Sequence, residues 1–242
     1  MTEGQECEGL MYFAVFALKE KIIVIELQDS TKSDNFANGM KLIVMTKPTF
    51  FVEEDKILEA LFEEGLNDLH LYKPGSAPVY AERLLSLLPE ECHKKITVHD
   101  HYYLKSEFGL GAIHIDSPDA ALPDGYRGRF TRTCMELEKL KAAKKKAEYV
   151  MLKYIFHSQS ERDADATFTM DELQEAARRG LIDRHVCALG GMNLENVRVA
   201  KDLGFGGVVI CGDLWNRFDI HRGQDYRELI KHFEKLRKAV GG

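Results

Sequence analysis

From Lys41 onward, short apolar or β-branched runs alternate with segments whose apolar residues recur at helical spacing. The runs read KLIVMT (41–46), DLHLY (68–72), ITVH (96–99), AIHI (112–115), GRFT (128–131), YVMLK (149–153), VCAL (186–189) and GVVIC (207–211). Helical patterns begin near Glu54, Ala77, Tyr102, Cys134, Met170, Asn193 and Arg222, while the connection 116–127 is too short to read as a helix. Strands alternating with helical crossovers predict a parallel sheet. Eight such units in about 200 residues predict a closed (β/α)8 TIM barrel. The competing fold, an open doubly wound sheet, would carry a glycine-rich fingerprint after its first strand. The segment found there, MTKPTFFVEED, has none.

Residues 1–39 stand outside this count and read as a short N-terminal extension of unknown role, with the barrel over 40–242. Within it KIIVIELQD (21–29) has the pattern of an extra strand, and STKSDNFANG (30–39) that of a turn or linker. Two explanations stay open: an appendage that packs on the barrel or a neighbouring subunit, or a natural start at Met40.

Composition narrows the classes. Of 242 residues, 45% are hydrophobic and 30% charged, enough for a sizeable core and too apolar for disorder. A net charge of −6 argues against nucleic acid as a partner, because phosphate-backbone binding needs clustered positive charge. The one basic block, KLKAAKKK (139–146), has the spacing of a solvated helix face. Cys7, Cys92, Cys134, Cys187 and Cys211 form no CxxC pair, which fits free thiols in a reducing cytoplasm. No apolar run approaches the length of a membrane span. A cytoplasmic protein with no membrane partner is expected, and a homo-oligomer stays open.

In such barrels chemistry sits where the strands end, in the βα loops. Gly190 and Gly191 follow the seventh strand, and Cys211-Gly212 ends the eighth, before GDLWNRF (212–218) offers a short helix. Backbone N–H groups in these two loops are suited to an anion such as phosphate. Steric strand termination explains a glycine pair equally well when it is taken alone. After the third strand stand His99-Asp100-His101; the fourth carries His114, then Asp116 and Asp119. Carboxylates on adjacent loops suit a hard cation such as Mg²⁺. Asp100 also suits a helix cap. A zinc site from the histidines is disfavoured, since His99 and His101 alternate in direction and no cysteine is near.

These stretches, in this order, resemble the thiamine phosphate synthase and TenI superfamily. LFEEGLNDLHLYKPG, ITVHDHYYLKSEFGLGAIHID, AEYVMLKYIFHSQS and ALGGMNLENV…LGFGGVVICG carry the likeness from Lys41 to about Trp215. The resemblance implies a transferase of thiamine biosynthesis that joins a pyrimidine diphosphate to a phosphorylated thiazole, assisted by Mg²⁺. It implies a diphosphate grip at His70, Tyr72 and Lys73, with His99 beside them. It further implies Asp100 and Asp119 as metal carboxylates, Ser158, Ser160 and Arg162 after the sixth strand, and Gly190, Gly191, Cys211 and Gly212 as phosphate loops. The departures are chemical: His70, Tyr72 and Pro74 stand where the family has Gln, Arg and Lys, and Glu161 where it has Lys. Loss of cations that face a leaving diphosphate weakens electrostatic catalysis. Two alternatives follow, a thiazole tautomerase of the TenI kind and a barrel that binds thiazole or thiamine phosphate without turnover. The tautomerase histidine is missing, because Thr133, Cys134 and Met135 occupy its region.

Overall fold

The computed structural model describes residues 39–157, 166–218 and 225–241. The expected strand 21–29 and linker 30–39 fall almost wholly outside them, as do Ser158, Ser160, Glu161 and Arg162.

Strands β1 (Lys41–Met45), β2 (Leu69–Leu71), β3 (Ile96–Val98), β4 (Ala112–Ile115), β5 (Phe130–Cys134), β6 (Val150–Lys153), β7 (Val186–Leu189) and β8 (Gly207–Ile210) pair in chain order. β8 closes on β1 in parallel register, Lys41 opposite Gly207, and the result is a (β/α)8 TIM barrel. Around it lie α1 (Glu54–Glu63), α2 (Pro78–Leu87), α3 (Glu90–His93), α4 (Leu104–Glu107), α5 (Leu140–Ala143), α6 (Met170–Arg178), α7 (Val197–Asp202), α8 (Gly212–Trp215) and α9 (Arg227–Gly241). No helix among the described residues is long and apolar enough to cross a membrane.

The period-two alternation of a strand divides the core in two. Val44, Leu69, Ile96, Ile113, Leu152, Ala188 and Val208 face outward onto helices, against Ile57, Leu61, Leu85 and Phe233. Ile43, Met45, Tyr149, Met151, Cys187, Leu189 and Val209 face inward and fill one side of the barrel. In α1 the buried Ile57, Leu58, Leu61 and Phe62 form one helical stripe. Each such side chain contributes about 1.5–3 kcal/mol on burial.

The fifth unit departs from expectation. Its strand runs Phe130–Cys134 instead of 128–131, and a 3-10 turn (Leu137–Lys139) precedes α5, so no helix begins at Cys134. Thr131 and Thr133 supply the reason: both are β-branched, and both hydroxyls bond the ring of His114, which requires extended backbone. The basic block forms the turn of α5, with Leu140 and Ala143 buried and Lys141 and Lys145 outward. After β3 the chain turns through a left-handed His101 (φ 53), and α4 therefore starts at Leu104 instead of Tyr102.

Candidate active site

The barrel interior has two chemical halves. β1, β6, β7 and β8 send in Ile43, Met45, Met151, Cys187, Leu189 and Val209. β2 to β5 send in His70, Thr97, His114, Thr131 and Thr133, buried polar groups in place of the usual branched apolar layers. Such groups are tolerable only when hydrogen-bonded, and here the histidines bond one another, Tyr149 and the β5 threonines. His70 Nδ1 meets His99 Nε2 at 2.9 Å, and His70 Nε2 meets the Tyr149 hydroxyl at 2.6 Å. Tyr149 in turn donates to Asp68 at 2.9 Å. His114 uses both ring nitrogens on Thr131 and Thr133, at 2.6 and 2.8 Å.

Burial holds the His70 and His114 imidazoles neutral. It pushes the His70 pKa well below its ordinary value, helped by the proximity of His99 and His114. It lowers His114 to about 3, again with His99 nearby. His70, His99 and His114 present nitrogens close enough together to suggest a metal site. Their geometry favours hydrogen bonding. The 2.9 Å separation of His70 and His99 nitrogens is shorter than the roughly 3.3 Å between ligands at 2.0–2.1 Å from a tetrahedral zinc. The His99 and His114 rings also stack, 23° apart in plane, so their lone pairs lie in nearly parallel planes and do not converge out of the rings toward one ion between the two faces.

Above this layer opens a cavity of about 330 Å³, a size suited to a small ligand. Tyr72, His99 and Asp116 form one wall; Lys153, Tyr154, Gly190, Gly191, Cys211 and Gly212 form the other. Asp116 lies 3.4 Å from His99 Nδ1 and 3.3 Å from His114 Nε2. The His99 approach is close but misaligned, which leaves Nδ1 without a hydrogen bond among the described residues. Partial burial works to raise the Asp116 pKa, yet the contacts with His114 and His99 outweigh it and hold the carboxyl well below the usual range.

The glycine pair is built by two loops interlocking. Gly190 and Gly191 have φ of 108° and 61°, backbone that side chains rarely adopt. A Cβ on Gly190 would come within 2.8 Å of the Tyr154 Cα, and one on Gly191 would strike the His157 carbonyl oxygen. The β6 loop lies over them, with the Phe156 N–H donating to the Gly190 carbonyl at 3.1 Å. Packing thus explains the glycines, and the same packing places the bared loop on the cavity. Across from it α8 begins at Gly212, pinned where the Trp215 indole donates to the Met45 carbonyl at 2.7 Å. Asp213 lines the cavity too, but its carboxylate is engaged by His232 at 2.6 Å and Arg217 at 3.1 Å.

The structure therefore joins Tyr72, His99, Gly190, Gly191, Cys211 and Gly212 around one cavity, with His70 directly beneath His99. Lys73 is elsewhere. It is buried in an ion pair with Glu54 at 2.6 Å and donates to the Thr49 carbonyl at 3.0 Å. Asp100 opens onto a separate shallow depression shared with Asp116 and Ser117. Asp119 meets Lys139 at 3.1 Å. Lys153 and Tyr154 are cavity residues that the motif-based reading passed over. The alternation Tyr149, Met151, Lys153 along β6 is the signal that marks Lys153 as inward-facing.

Comparison with known proteins bears on the family and the fold. The family model described as thiamine monophosphate synthase matches residues 79–214. A thiamine phosphate pyrophosphorylase from Bacteroides thetaiotaomicron is 48% identical, with a TM-score of 0.74 over 83% of this chain and 97% of its own. One from Pyrococcus furiosus, 18% identical with a TM-score of 0.64 over 85% and 98% of the two chains, shares the fold. The same holds for a tryptophan synthase α subunit from Legionella pneumophila, 13% identical at TM-score 0.57 over 84% and 92%. No curated protein matches the chain. More than half of the chain fits that family model, and over 83% of its length it is 48% identical to a pyrophosphorylase of the same barrel, so the chain belongs to the thiamine monophosphate synthase family.

Proposed function

We propose that the protein is a transferase that joins hydroxymethylpyrimidine diphosphate to thiazole phosphate. The carbon–oxygen bond to the diphosphate breaks, pyrophosphate leaves with the electron pair, and the thiazole nitrogen forms the new bond to that carbon. The observation that carries this reading is the cavity at the ends of β6 to β8, where the Gly190–Gly191 loop faces the start of α8. Phosphate placed there meets bared backbone, while the opposite wall of Tyr72 and His99 offers rings to a planar heterocycle.

Asp100 and Asp119 are the carboxylates we assign to Mg²⁺. Oxygen donors from two adjacent loops fit a hard cation. The Asp119–Lys139 pair is exposed on both sides, and exposed pairs contribute about 0–1 kcal/mol, so it does not bar Asp119 from turning to an ion. When bound, Mg²⁺ would offset the charge of the leaving diphosphate. Ser158, Ser160 and Arg162 follow Lys153 and Tyr154 in the sequence and stay in the proposal as diphosphate contacts.

The test is direct. Wild-type protein, both substrates and Mg²⁺ should yield thiamine phosphate, and Asp100→Ala should lower the rate at least about tenfold. Absence of product at high protein concentration would sink the synthase reading. A second reading, proton transfer on a thiazole phosphate, is favoured by the Asp116–His99 pair on the cavity wall. Isomerisation of a thiazole carboxylate phosphate, abolished in Asp116→Asn, would establish it instead.

A further inference from the structure

A cavity meant for phosphorylated ligands needs positive charge, and the sequence motifs place it on Lys73. The structure withdraws Lys73 into its pair with Glu54. Among the described residues that line the cavity, Lys153 is the only lysine or arginine. The acidic side chains in the lining are Asp116 and Asp213, of which Asp213 is engaged by His232 and Arg217.

Three features aim Lys153 at the ligand. It is the last residue of β6 and lies in the inward register of Tyr149 and Met151, so its stem rises along the barrel wall into the cavity. Its backbone pairs with Leu189, the residue before Gly190, one strand spacing away (about 4.8 Å). Its ammonium sits over the Tyr154 ring, 4.6 Å from the centroid, which holds it at the cavity's edge. Tyr154 itself is left-handed, with φ 68°, and turns the chain so that this ring and the glycine loop share one rim.

We propose that Lys153 contacts the ligand and selects for a second anionic group, of the diphosphate class, beside the phosphate at Gly190–Gly191. The identity of the full ligand rests on the transferase reading above; the anion contact does not. A lysine at the end of β6 then supplies charge that the β2 positions Tyr72 and Pro74 cannot.

Calorimetric titration with inorganic pyrophosphate decides it, using wild type, Lys153→Met, Lys153→Arg and, as a control at a lysine outside the cavity lining, Lys47→Met. Loss of a charge-assisted contact should weaken pyrophosphate binding roughly 10- to 100-fold in Lys153→Met. That variant should also lose most of the salt dependence seen in wild type. Lys153→Arg should stay within a few-fold, and Lys47→Met within about twofold. Should Lys153→Met fail to fold, Lys153→Gln gives the same comparison. Wild type that does not bind pyrophosphate, equal affinity in Lys153→Met, or an equal loss in Lys47→Met overturns the proposal. Pyrophosphate binding through Lys153 without thiamine phosphate formation would remove the transferase reading alone. Unchanged turnover and pyrophosphate affinity in Lys153→Met would remove this inference alone.

Discussion

Lys73 shows how one residue's surroundings decide what it can do. Its ammonium is buried between the Glu54 carboxylate, the Thr49 carbonyl and the Phe50 ring, 4.5 Å from that ring's centroid. Burial pushes the Lys73 pKa down and the Glu54 pKa up, each opposed by the charge of the other. Glu54 Oε2 is buried with no hydrogen-bond partner among the described residues, so Lys73 carries most of the compensation. The pair locks the β1 loop to the end of β2. Removing one partner from such a pair leaves an uncompensated charge and costs about 3–5 kcal/mol. Glu54→Ala should therefore lower unfolding stability by that amount, and Glu54→Gln with Lys73→Met should recover most of it. Urea unfolding of the three proteins checks this; a single-variant loss below about 1 kcal/mol would mean that the pair is solvated. Sequence alone could not separate this role from a ligand contact, because the partner Glu54 lies 19 positions away.

At the scale of elements, the loops after β6 and β7 act as one unit. The Phe156 N–H reaches the Gly190 carbonyl, the Ile155 N–H reaches Leu189, and Gly191 has no room for a side chain beneath His157. Gly191→Ala demands both left-handed backbone and displacement of the His157 carbonyl, so the cost should exceed the 1–3 kcal/mol of backbone strain alone. The expected outcome is a lowered melting temperature together with weaker phosphate binding, since moving His157 also moves the rim that carries Lys153. Unchanged phosphate affinity in a folded Gly191→Ala variant would separate the glycines from the ligand. Strand and helix order was legible because apolar period changes from two to 3.6 at each junction. The boundaries of β5 were not. Thr131 and Thr133 are extended by a bond to His114 on a neighbouring strand, and a contact between strands leaves no mark in local periodicity.

For the molecule as a whole, the division of the barrel interior sets a pH dependence. The cavity and its glycine loops were readable from strand counting, since a barrel's loops after strands seven and eight commonly hold phosphate. The imidazole network beneath was not, because His70, His99 and His114 are 15 to 44 positions apart and meet only on closure. Within it, His70 and His114 must stay neutral inside the fold. His114 titrates near 6.5 when exposed and at about 3 when folded, so between those values the unfolded chain binds more protons than the native one. Stability therefore rises with pH across that window and falls on acidification below 6.5, with the penalty complete near pH 3. His70 shifts in the same direction. Each histidine contributes at most about 2 kcal/mol of loss between pH 6.5 and 5. Denaturant midpoints should thus drop from pH 7 to pH 5 in the wild type. His114→Asn, which keeps an amide for Thr131 or Thr133, should start less stable at pH 7 and show a shallower slope. A slope equal to that of the wild type would mean that the imidazole is hydrated, and that the polar half of the barrel is an aqueous inlet instead of a sealed hydrogen-bonded floor for the cavity.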